Sequence, residues 1–234
     1  MTERGREKVR RDATELQIGP SLISWQEDDL VIDIDEWTAP LPRRLKGSVR
    51  LTPGALPCRS FDLDAQGRHR WQPIAPQSRI QVALDRPDLR WSGSGYLDSN
   101  HGDEPLEDGF VDWSWSRAHR QQDTVVLYDA KRRDGSDGSL ALRFDMEGGV
   151  ESLTPPPAVT LPPTLWRVAR PSRAHGAPHL RQTLEDAPFY SRNLLETPLY
   201  GEMATAFHES LDLGRFRHPL VKLMLPFRMP RALF

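Results

Sequence analysis

The chain has 234 residues, a formal net charge of -2, 27% charged and 38% hydrophobic residues, so it can bury a core without a staple and shows no basic bias toward nucleic acid. Its single cysteine, Cys58, rules out an internal disulfide and a thiolate metal cluster and fits a reducing compartment. With 21 prolines and 16 glycines the composition points to a turn-rich, strand-rich chain.

Residues 1–12 are charged, are expected to be helical or frayed, and lack the apolar stretch of an export signal. No run approaches the ~20 apolar residues of a spanning helix, so a cytoplasmic protein, soluble or peripheral to a membrane, is expected. Residues 22–25 and 30–34 flank the polar turn Gln26-Glu27-Asp28-Asp29 and read as a hairpin. In its second arm Leu30, Ile32 and Ile34 share one face. Residues 46–51 form another short strand, which the stretch from Pro53 to Pro57 interrupts.

Strands are then expected over 68–74, 79–84, 90–97, 111–117, 124–131 and 139–145, with a strong turn at 134–138. Their spacing of roughly 10–12 residues is the rhythm of an antiparallel barrel or sandwich. Five prolines between 154 and 163 form a stiff connector. Strands over 165–169, 179–184, 189–196 and 203–212 complete the sheet. The tail over 215–234 mixes basic with apolar residues and reads equally as a membrane-docking segment or a final strand with a basic edge. The expected organisation is all-β: a first domain over 1–152 and a smaller one, with the basic tail, over 153–234.

Candidate chemistry concentrates between Arg90 and Arg117, which hold Trp91, Tyr96, Asp98, His101, Trp113 and Trp115. Strand alternation pairs Tyr96 with Asp98, Trp113 with Trp115, and, in the earlier RHRWQP stretch, His69 with Trp71. Inside a barrel three such pairs would line one pocket. Singly, each has a plain structural explanation: a packed tryptophan, a turn-capping carboxylate, a surface histidine. His69, His101, Asp98, Asp103 and Glu104 form only a weak metal signal, without HxH or HExxH spacing. No GxSxG elbow, Walker loop or dinucleotide fingerprint occurs.

The run RWSGSGYLDSNHGDEPLEDGFVDWSWSRA resembles the signature of the carotenoid 1,2-hydratases, or hydroxyneurosporene synthases, a family of lipocalin-like β-proteins. EWTAPLPRRLKGSVRL, GRHRWQPIAP, TVVLYD, ETPLYGEMATAFHESLDL and KLMLPFRMPR extend the resemblance over nearly the whole chain. It implies one antiparallel lipocalin-like barrel, or a pair of them. It also implies a β-rich segment ahead of Met1 that this sequence lacks, leaving the first barrel incomplete. The implied activity is hydration of the terminal double bond of acyclic carotenes, with no cofactor and no metal, at the inner membrane surface; the alternatives are a non-catalytic lipocalin-like binder of hydrophobic ligands and a related lipocalin-like cyclase. The implied catalytic residues are His69, Trp71, Tyr96 and Asp98. Trp91, His101, Trp113 and Trp115 are expected to contact substrate.

These residue types suit that chemistry. An isolated alkene is a poor base, and an acid shielded from water keeps its proton near neutral pH more readily than one in solution. Asp98 is the expected proton donor, and Trp71 and Tyr96 would stabilise the tertiary cation through their ring faces. His69 would take a proton from the attacking water and return it toward Asp98.

Overall fold

The structure, a computed structural model, describes residues 5–38 and 41–225. They fall into two compact units, residues 5–56 with 75–97 and residues 57–74 with 98–225.

In the first unit the charged start makes a single 3-10 turn, Arg6–Lys8, and then β1 (Val9–Arg11), where Val9 pairs with Ile18. Helix is not extended there because strand pairing takes over the backbone groups. β2 (Glu15–Ile18), β3 (Ser21–Gln26), β4 (Asp29–Trp37) and β5 (Arg44–Pro53) continue an antiparallel meander. The β3–β4 turn places Glu27 at φ 56°. Leu30 lies opposite both Trp25 and Leu51, and with Ala75 these begin the unit's core.

After β6 (Phe61–Asp62), the two strands expected over 68–74 and 79–84 are one, β7 (His69–Arg86). Its start pairs with β6 through Trp71 and Arg70, and its Ser78–Arg86 stretch pairs with β5. Pro73 and Pro76 fall between the stretches that pair with β6 and with β5. β8 (Asp88–Gly102) follows and pairs with β7.

The second unit continues with α1 (Leu106–Gly109), β9 (Phe110–His119), β10 (Asp123–Arg132), β11 (Asp137–Asp145) and β12 (Val150–Ser152). β13 (Ala158–Thr160) and β14 (Pro171–Arg173) form a two-stranded sheet. β15 (His179–Asp186), β16 (Tyr190–Leu199) and β17 (Glu202–Asp212) complete an antiparallel seven-stranded sheet of order β12-β11-β10-β9-β17-β16-β15. The boundary expected after residue 152 therefore runs through one sheet, because β17 pairs with β9 along its length.

Residues 165–169, expected as a strand, form a loop instead. Thr164 organises it, accepting from Arg167 N at its carbonyl (3.0 Å) and from Val168 N at Oγ1 (3.1 Å), and Arg167 sits at φ 55°. The tail forms two short helices, α2 (Leu213–Phe216) and α3 (Pro219–Met224), rather than a strand. Pro219 and the His218 side chain, which accepts from Leu220 N, start the second. The remainder of the expected tail, with Arg228 and Arg231, lies outside the described residues.

One face of the seven-stranded sheet carries an apolar core built from Val125, Leu127, Ala141, Leu195 and Ala206, with Leu161 of the proline connector packed among them. The same face carries a buried polar group of Arg170, Asn193 and His208. Arg170 donates to Asn193 Oδ1 (2.7 Å) and to the Pro162 carbonyl from Nε (2.6 Å). His208 Nε2 lies 2.8 Å from the Pro171 carbonyl, which can only accept, so Nε2 carries the hydrogen and Nδ1 faces Asn193 Nδ2.

Burial holds His208 at about 4, outweighing the opposing hydrogen bond to Pro171 and helped by the nearby Arg170 charge. Above the ordinary value of 6.5 the imidazole is neutral in both folded and unfolded chains. Between 6.5 and about 4 the unfolded chain takes up a proton that the native state refuses. Stability should therefore fall as pH is lowered through that window, by about 3 kcal/mol from this residue. His119, also lowered by burial, acts in the same direction. Denaturant titrations at several pH values check this: His208→Gln should flatten most of the slope, and an unchanged slope would refute the assignment.

Candidate active site

Most of the candidate groups come from the second unit. Trp71 on β7 is wholly buried, and its Nε1 donates to Asp98 Oδ2 at 2.8 Å. Its ring lies 5.5 Å from Phe61 and 5.6 Å from Tyr128, and Tyr128 lies 5.1 Å from Trp113. Sheet register explains the clustering. Tyr128 on β10 is opposite Trp115, and Ala130 is opposite Trp113, so period-2 alternation puts all three rings on one face. Trp113 and Trp115 are half-buried. Burial, with the Asp98 and Glu209 charges adding to it, pushes the Tyr128 phenol well above its usual range, so it remains an O–H group.

Asp98 is half-buried on β8. An indole N–H only donates, so Oδ2 of Asp98 is the acceptor.

His69 shares the buried side of β7 with Trp71, two residues away. Its Nδ1 lies 2.8 Å from Asp64 Oδ2, which also accepts its backbone N–H at 2.8 Å. Asp64 Oδ1 accepts from the backbone of Gln66 and Arg68. Burial alone would raise Asp64, but the His69 side chain and these three backbone donors outweigh it and hold it at about 2. The imidazole Nε2 is buried without a hydrogen-bond partner. Asp64 thus engages Nδ1, and Nε2 makes no hydrogen bond to Asp98.

His69 lines a cavity of about 130 Å³ with Asn100, His101, Gly102, Glu104 and Leu106. The His101 side chain is otherwise exposed. Among the described residues, no group of three or more His, Cys, Asp or Glu side chains is arranged to hold a metal ion.

Tyr96 is half-buried and Trp91 is 48% exposed, both on the part of β8 that belongs to the first unit. The sequence reading passed over Phe61, Asp64 and Tyr128. Asp64-Ala65-Gln66-Gly67 carries a readable turn signal, with Gly67 at φ 65°. Tyr128 sits in a fully buried stretch of β10 where no alternation distinguishes it.

A family model described as carotenoid hydratase CrtC matches residues 1–233. The acyclic carotenoid 1,2-hydratase of Thiocapsa roseopersicina is 53% identical over 99% of this chain and 58% of its own length. That of Rubrivivax gelatinosus is 50% identical with the same coverage, and that of Rhodobacter capsulatus is 42% identical over 99% of this chain and 83% of its own. The chain thus spans 58% of the length of the first two relatives. Among solved structures, AttH of Nitrosomonas europaea aligns with a TM-score of 0.56 at 15% identity, covering 88% of this chain and 72% of that one. CghA with Sch210972 aligns with a TM-score of 0.53 at 10% identity, covering 85% and 69%. These two likenesses concern the fold, an antiparallel, lipocalin-like all-β architecture. A match from residue 1 to 233, with relatives at 42–53% identity along the same stretch, assigns the chain to the carotenoid hydratase CrtC family.

Proposed function

We propose that this chain adds water across the terminal 1,2 carbon–carbon double bond of acyclic carotenoids such as neurosporene and lycopene. The products are 1-hydroxy-1,2-dihydro carotenoids, and the chain acts as a cofactor-independent hydro-lyase of carotenoid biosynthesis. The observation that carries this reading is the Asp98 carboxyl, held at 2.8 Å by the buried Trp71 indole beside the Tyr128 ring.

Asp98 delivers a proton to the less substituted alkene carbon, leaving a tertiary cation. The faces of Trp71 and Tyr128 stabilise that cation by ~2 kcal/mol per desolvated contact, roughly 10³-fold in rate for two contacts made only in the transition state. Trp113 and Trp115 wall the aromatic cluster. Tyr96 and Trp91 are retained as aromatic partners of the substrate on the strength of the motif they share with Asp98. Water then adds to the cation and gives up a proton to His69, with His101 bordering the same cavity.

The test is expression in a lycopene-producing bacterium with analysis of the pigments. A product heavier than lycopene by one water is expected, and unchanged lycopene alongside abundant folded protein would refute the reading.

The substrate is a membrane hydrocarbon, and the same reading has the chain docking peripherally on the inner membrane. Support comes from Leu220 and Leu223, 63% and 68% exposed on α3. Flotation with anionic liposomes should fall roughly tenfold for the Leu220→Ser, Leu223→Ser variant. Equal flotation of parent and variant would remove α3 from the docking surface.

A further inference from the structure

Asp64 lies outside the motifs that define the candidate site, yet it makes four hydrogen bonds, all to its own loop and to His69. Both partners of the pair are removed from water, with His69 3% and Asp64 8% exposed. An ionised carboxylate only accepts, so the 2.8 Å contact puts a hydrogen on Nδ1, and the imidazole with a single N–H is the Nδ1–H tautomer. Nε2 then presents a lone pair, and it is the nitrogen left without a partner.

The ring is also held sterically. A Cβ on Gly102 would come within 2.7 Å of Cδ2, and one on Gly109 within 2.7 Å of Cε1, the two carbons that flank Nε2. Phe110 closes a third side, edge to face at 4.8 Å. The imidazole therefore has one tautomer and one orientation available, and it borders a cavity of about 130 Å³, room for a few water molecules.

Resting on the hydratase reading above, we infer that Asp64 is the positioning residue of the water-activating half of the site. It locks His69 as the Nδ1–H tautomer, so that Nε2 accepts a proton from the water that adds to the cation. As the water oxygen bonds to the tertiary carbon, one of its two hydrogens passes to Nε2. The imidazolium so formed faces the Asp64 carboxylate. Its proton returns through water to Asp98, which gave its own to the alkene, so both groups end as they began. The acid at Asp98 and the base at His69 are thereby separate devices, each fixed by its own buried partner, Trp71 and Asp64.

The test combines a measurement that needs no substrate with one that does. Nitrogen-15 NMR of the full chain, with His69 assigned by comparison with His69→Gln, should show Nδ1 protonated and Nε2 unprotonated. Asp64→Asn, whose amide nitrogen donates toward Nδ1, should reverse this. In the lycopene assay Asp64→Asn should lower kcat on the order of 10²-fold or more while KM changes by less than about threefold. Asp64→Glu should recover part of the rate. A parent chain with the Nε2–H tautomer would overturn the proposal even if Asp64→Asn failed to fold. So would a folded Asp64→Asn chain at the parent rate. Neither result bears on the hydratase reading, which fails instead if the parent chain leaves lycopene unhydrated.

Discussion

On the proposed hydration of lycopene, Asp98→Asn should lower turnover by about 10³-fold or more while leaving carotene binding intact. The asparagine side chain has the shape of the carboxyl group, and its Oδ1 can still accept from Trp71 Nε1, so the hydrogen bond at 2.8 Å survives. What disappears is the proton that the proposed mechanism delivers to the alkene. Positioned general acids contribute roughly 10²–10⁴-fold, and an isolated alkene sits at the demanding end of that range. Trp71→Phe separates the two roles of its indole. It retains an aromatic face near Tyr128 but deletes the donor that assigns Oδ2 as acceptor. Its rate should fall between those of the parent and Asp98→Asn. Initial rates with binding followed by carotenoid absorbance check both expectations, and a purified Asp98→Asn chain at the parent rate would remove Asp98 from the mechanism.

Arg170→Met should destabilise the second unit by about 3–5 kcal/mol. The guanidinium is 2% exposed and serves the Pro162 carbonyl, Asn193 Oδ1 and Thr183 Oγ1. Methionine approximates its length, so little cavity forms, but the acceptors lose their donors inside the protein. Each orphaned buried acceptor costs about 1–3 kcal/mol, and removing one member of a buried charged network commonly costs about 3–5 kcal/mol. Against a typical total of about 5–15 kcal/mol this is a large share. Burial lowers the Arg170 pKa against the pull of Asp186. Equilibrium denaturation measures the effect, and a loss below about 1 kcal/mol would show that Arg170 is dispensable.

Strand rhythm, turn chemistry and the RHRW and GYLDSN motifs were readable because each depends on neighbours in the chain. The β3–β4 hairpin shows this, with its polar turn at Glu27 and alternating arm from Leu30. So does the turn after β10, where Asp134 Oδ1 accepts from Ser136 N at 2.9 Å. β7 is one strand where two are expected, over 68–74 and 79–84, because its first residues pair with β6 and its later ones with β5, a change of partner that local sequence does not announce. Residues 165–169 look apolar enough for a strand, but Thr164 and the preceding prolines turn the backbone away.

By itself, then, the amino-acid order determined an all-β chain of this family and brought His69 and Trp71 to one side of a strand, since period-2 alternation is a property of the local backbone. Tertiary structure decided which partners those side chains meet. Trp71 meets Asp98 across 27 residues of chain, Tyr128 joins them through sheet register, and His69 meets Asp64. Hydrogen bonds and ring contacts of this kind depend on how strands are laid side by side, and that register is set by the burial of whole faces rather than by any single motif.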